Sequence, residues 1–126
     1  MLKKLLIATT FLVLLTTNPV KADETFYRGW ATAYCQKGQT ATGTQTKEGR
    51  TIASKPEWEG MTMYVWFDEG DGLIKPENFI GAYIVEDTGS DNIKKGYVID
   101  IYMENLNDCK QFGGKRVIWQ LVNAKG

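Results

Sequence analysis

The sequence contains no histidine in its 126 residues. Its absence excludes His-based nucleophilic triads and removes the commonest zinc ligand, leaving little from which to build a catalytic zinc site. No metal and no cofactor are therefore expected. Cysteine is scarce, with Cys35 and Cys109 the only two. Positive charge is not in excess either: fifteen Lys and Arg stand against fifteen Asp and Glu. A nucleic-acid binder shows the opposite balance, with clustered basic residues, so that class is set aside. The longest apolar run, Leu5 to Leu15, is shorter than the roughly 20 residues that a membrane-spanning helix needs. There are no internal repeats, linkers or low-complexity tracts.

What is present begins with that run. Lys3 and Lys4 precede it and Val20-Lys21-Ala22 follows, the order of a secretory signal peptide with a small-residue cleavage site. Met1 to Ala22 is expected to be removed, giving a secreted chain of residues 23–126 with no stable membrane insertion. Without the leader's three lysines, twelve basic residues face fifteen acidic ones, a net charge of −3. In an oxidising compartment the two cysteines fit one disulfide, worth about 4 to 5 kcal/mol for so long a loop on the chain-entropy model. Two buried free thiols or a reactive nucleophile are the alternatives, the latter disfavoured without a histidine.

Alternation of apolar and polar residues predicts six short strands: Phe26 to Tyr34, Thr51 to Ala53, Met61 to Phe67, Gly81 to Glu86, Tyr97 to Met103 and Lys115 to Val122. Asn105 is a good N-cap for one short helix that Gly113 stops, with Leu106, Cys109 and Phe112 facing the core. Asp68-Glu69-Gly70-Asp71-Gly72 reads as an acidic hairpin tip, too compact for an EF-hand. A small all-β domain closed into a barrel accounts for these lengths. Trp58 and Trp66, near loop ends, are either core or platforms for a sugar ring.

The chemistry concentrates between Ile84 and Met103, read as strand, turn, strand. Asp87 closes the first apolar run and Asp100 sits inside the second, between Ile99 and Ile101. An aspartate in a β-branched run is disfavoured by propensity and costly to bury unpaired, so a paired-carboxylate site is indicated. Two acids on adjacent strands push their pKa values apart and leave one able to act as general acid. A simple turn at Asp87-Thr88-Gly89, with Asp100 pointing outward, is the plainer reading of the same residues.

Asp-Thr-Gly, then Ile-Lys and Gly, Ile-Asp-Ile-Tyr, Phe112-Gly113 and Val117 to Leu121 resemble the three-aspartate (3D) domain of secreted bacterial wall proteins. Ala31 to Cys35 and Thr40 to Gly43 match its opening signature. The same pattern closes the membrane-bound lytic transglycosylase A family. The resemblance implies a six-stranded double-psi β-barrel with a small helix, and a monomer associated with the cell wall. It further implies lytic transglycosylase activity on the glycan strands of peptidoglycan, with Asp100 and Asp87 as catalytic residues. Tyr34, Thr40, Thr42, Gly43, Thr88 and Gly89 would line the substrate groove.

Two departures stand out. Lys55 replaces the aspartate that the family carries before proline, and an exposed lysine replacing a structural acid is the expected reading. The span from Asp87 to Asp100 is two residues longer than usual, which a longer hairpin turn absorbs. A non-catalytic carbohydrate-binding or wall-loosening module is the alternative function.

Overall fold

Strand β1 (Glu24–Tyr34) opens the computed structural model, which describes residues 24–123; the leader read in Met1 to Ala22 lies outside them. It is followed by β2 (Thr51–Ala53), β3 (Thr62–Phe67), β4 (Phe79–Asp87), β5 (Val98–Tyr102) and β6 (Lys115–Val122). Two short helices, α1 (Asp91–Lys94) and α2 (Leu106–Phe112), flank β5. The strands close into a barrel in the order β1-β5-β2-β4-β3-β6. Pairs β1–β5 and β2–β4 are parallel and the other four antiparallel.

The period of two along each strand sends one set of side chains inward. Ala31, Ile52, Met63, Val65, Val85, Ile99, Ile101, Val117, Trp119 and Leu121 form the core. Burying each of the larger ones is worth about 1.5 to 3 kcal/mol. Trp119, fully buried, fits because residue 29 is glycine: a Cβ there would meet the indole at 2.8 Å and the Tyr97 carbonyl at 2.7 Å. Trp58 joins this layer, its ring 4.8 Å from Tyr27 and 6.4 Å from Trp119. It is partly buried and packs against the core. Trp66 instead packs on the outer wall with Tyr64 and Phe79.

Three expectations are corrected. Strands β4 and β5 are not a hairpin, because β2 lies between them and pairs with both. The longer connection is a helical turn, Asp91–Lys94, with an acid in its first turn and a lysine in its last, as the helix dipole favours. Helix α2 does start at Asn105, whose side chain accepts the Asp108 N–H at 3.2 Å. Leu106, however, is 54% exposed, while Phe112 packs against Phe67 and the core. A seven-residue helix lying across a barrel mouth turns too few faces inward to bury all three residues.

The acidic loop after β3 is organised internally. Asp68 is buried, accepts the N–H groups of Gly70 and Gly72, and pairs with Arg28 at 2.8 Å, while Lys75 bridges Glu69 and Asp71.

Candidate active site

On β1 and β5 the outward positions alternate with core residues. Thr32 pairs with Asp100 and Tyr34 with Tyr102, while Ala31 and Ile99 point inward. Strand β2 contributes Ala53, which is the Cα partner of Asp100 on one side and of Asp87 on the other. A register shift between Ile52 and Ala53 skips Glu86, so Asp87 rather than Glu86 stands opposite Ala53. A bulge of this kind re-aims a side chain. Both carboxylates flank the small side chain of Ala53, and their charges act on each other.

The two acids have different surroundings. Asp87 accepts the Tyr34 hydroxyl at 2.9 Å, the Ala41 N–H at 3.0 Å and the Thr88 N–H at 3.0 Å. Three donors on one carboxyl suit an acceptor-only carboxylate. Among the described residues Asp100 has one hydrogen-bond partner, the Thr32 hydroxyl, which donates to it at 2.8 Å. Burial pushes the Asp100 carboxyl above the usual aspartate range, Thr32 pulls it partly back, and the Asp87 charge pushes it up again. Among the described residues no cation acts to lower it. Burial, and next the bond to Asp87, keep the Tyr34 hydroxyl protonated well beyond the ordinary tyrosine range, so it stays a donor. One carboxyl is thus held by donors and the other left with a raised proton affinity, the asymmetry that general acid chemistry requires.

The threonine loop serves the site by structure first. Thr40 is buried, and its hydroxyl meets those of Thr42 at 3.2 Å and Thr44 at 2.7 Å and accepts the Thr44 N–H. Gly43 turns the loop with φ of 94°, its N–H donating to the Thr40 carbonyl. The Thr42 N–H bonds the Glu86 carbonyl, which with the Ala41 to Asp87 bond ties the loop to the end of β4. Thr42 and Gly43 are exposed beside the acids, whereas Thr40 is an internal brace. The buried Thr88 hydroxyl has no partner among the described residues. Gly89 leaves room for the Ile93 side chain, which a Cβ would meet at 2.8 Å.

Cys35 and Cys109 are neighbouring free thiols, so the expected disulfide is not formed in this structure. The Cys109 thiol faces the Met103 carbonyl at 3.7 Å, and burial followed by Cys35 raises its pKa. Asp100 acts on Cys109 in the same direction, which puts the thiol pair beside the acids.

Lys55 is half-buried rather than freely exposed. Its ammonium lies 5.3 Å over the Trp58 ring, and its stem packs near Gly96.

Sequence reasoning missed Thr32, although its alternation with Ala31 placed it on the face of Tyr34. It also missed Glu86, a buried acid that accepts from the Thr51 hydroxyl at 2.9 Å and pairs with Arg50 at 3.0 Å. A carboxylate next to Asp87 in the sequence was the available signal.

No protein-family model matches the chain, and no curated protein does. Among solved structures, MltA from E. coli is similar with a TM-score of 0.48 and 19% sequence identity, over 69% of this chain and 28% of that one. The chain thus spans less than a third of that protein's length.

Proposed function

We propose that this protein acts on peptidoglycan as a lytic transglycosylase, with Asp100 as the single acid/base. The observation that carries this reading is the Asp100 carboxyl, raised by burial and by Asp87 beside it. Protonated Asp100 gives its proton to the glycosidic oxygen as the bond to C1 of the muramic sugar breaks. The resulting carboxylate then takes the proton of the C6 hydroxyl as O6 closes on C1. One bond breaks, one forms, no water is consumed, and the product is a 1,6-anhydro sugar. An ordinary glycosidase needs a second carboxylate to manage a water or a covalent intermediate. Here Asp87 is occupied by three donors, and its part is to raise Asp100 and orient substrate through Tyr34 and the Ala41–Gly43 turn. Thr88, with a hydroxyl in search of a partner, and Gly89 complete the groove.

The reading includes a double-psi topology, supported by the two parallel pairs in a closed six-stranded barrel. It also includes export and work at the cell wall as a monomer. Lys55, at the position of a family acid, favours the second reading, a non-catalytic wall-binding or wall-loosening module. Incubating the protein with purified peptidoglycan and analysing released muropeptides by mass spectrometry separates the two. Anhydromuropeptides are expected; binding to the wall without their release would leave the second reading, and hydrolysed reducing ends would sink the mechanism.

A further inference from the structure

The outer face of β1 continues past the acid pair. Ala31 lies in the core, and a Cβ on residue 29 would meet Trp119 inside the barrel, so the alternation turns Trp30, Thr32 and Tyr34 outward. Trp30 stands beside Val98 on β5 as Thr32 stands beside Asp100, to which the Thr32 hydroxyl donates at 2.8 Å. Two residues of strand, a rise of about 7 Å, separate Trp30 from Thr32. A short oligosaccharide spans that distance. Trp30 is also 50% exposed. Its broad apolar surface, half in water on the wall that carries the acids, suits the C–H face of a sugar ring.

On its other side Trp30 is the Cα partner of Arg116 of β6. The Arg116 guanidinium lies 5.5 Å from the centre of the indole ring. A guanidinium held by an aromatic ring keeps its fork of donors for another partner. Among the described residues no carboxylate pairs with Arg116. Asp68, which lines the same cavity of about 260 Å³ with Arg28, Gly29, Trp30 and Arg116, is already occupied by Arg28 and the N–H groups of Gly70 and Gly72. Two guanidiniums against one carboxylate leave the cavity positive. A neutral sugar would leave the Arg116 fork unused, whereas a carboxylate can accept it in a bidentate pair.

We propose that Trp30 and Arg116 form a further glycan subsite beside Asp100, the indole receiving a sugar ring and the guanidinium a carboxylate carried by the same strand. The carboxylate is supplied either by the lactyl group of a muramic sugar whose peptide has been removed or by the stem peptide. The subsite rests on the reading that a glycan strand lies along the acid pair, and not on whether that pair cleaves it.

Calorimetric titration of the full chain carrying Asp100→Asn, which leaves the ligands uncleaved, tests it. The ligands are chitotetraose as the neutral sugar backbone, peptide-free glycan strands and peptide-bearing glycan strands. Strands with a carboxylate should bind more tightly than chitotetraose, and added salt should shrink the difference. Tighter binding of peptide-free strands identifies the lactyl group, and tighter binding of peptide-bearing strands identifies the stem peptide. Trp30→Ala should weaken binding of every ligand about tenfold, with Trp30→Phe restoring most of it. Arg116→Gln should weaken the carboxylate-bearing strands about fivefold and leave chitotetraose unchanged. Both side chains are exposed, so the fold should survive their loss, which amide NMR spectra verify. Equal affinity for chitotetraose and the charged strands, or unchanged affinity in Trp30→Ala, would overturn the subsite and leave the acid-pair reading standing. Binding of no glycan at all would overturn both.

Discussion

A carboxyl whose proton affinity is raised by burial carries a destabilising charge once it ionises. Folded Asp100 holds its proton more tightly than the unfolded chain does. Its contribution to stability is therefore full at acid pH and is lost as pH rises from the ordinary aspartate range through the raised one. Asparagine in its place keeps an acceptor for the Thr32 hydroxyl and carries no charge. Asp100→Asn is expected to raise the melting temperature at neutral pH by a few degrees, the gain shrinking towards acid pH. Melting curves across that range check this, and a variant less stable than wild type at every pH would contradict it. Asp87 contributes charge to the same carboxyl. Removing that charge in Asp87→Asn lowers the proton affinity of Asp100, so the limb on which activity falls with rising pH moves to lower pH, with a partial loss of rate at the optimum. A pH–rate profile of product release reads the shift directly.

Among the elements, the loop of residues 36–50 is the most dependent on side-chain bonds. Thr40→Val keeps the shape of Thr40 and removes the hydroxyl that Thr42 and Thr44 share. A loss of about 0.5 to 1.5 kcal/mol is expected in chemical denaturation, because the exposed Thr42 and Thr44 can turn to water instead. Activity should fall with it through slackening of the Ala41 to Asp87 bond. Strand positions were legible in the sequence because period-two alternation is a local signal, as were the Asn105 cap and the Gly113 stop. Pairing order was not. Residues Asp87 and Asp100 face each other across Ala53, and a three-residue strand inserted between two longer ones leaves no mark in their own alternation. The register shift that aims Asp87 and turns Glu86 away is likewise a property of the pair, invisible in either strand alone. Helix α1 replaced an expected turn although Asp91 and Lys94 carried its charge signature.

At the scale of the molecule, two connections meet where Cys35 leaves β1 and Cys109 crosses it on α2. The thiols are already neighbours, so an oxidising glutathione buffer should join them within one chain. Mass analysis would then show the loss of two hydrogens, and the oxidised form should be more stable by about 2 to 5 kcal/mol. Thiols that remain titratable after unfolding of the oxidant-treated protein would contradict this. The barrel as a whole presents its two acids on one outer wall, with Asp100 given the raised proton affinity and Asp87 the donors. The direct measurement is the rate of anhydromuropeptide release from peptidoglycan by wild type and Asp100→Asn at equal concentrations, with wall binding followed in parallel. A drop of about a hundredfold or more with binding retained is the expected result; release by Asp100→Asn at the wild-type rate would contradict the assignment of Asp100 as the acid/base.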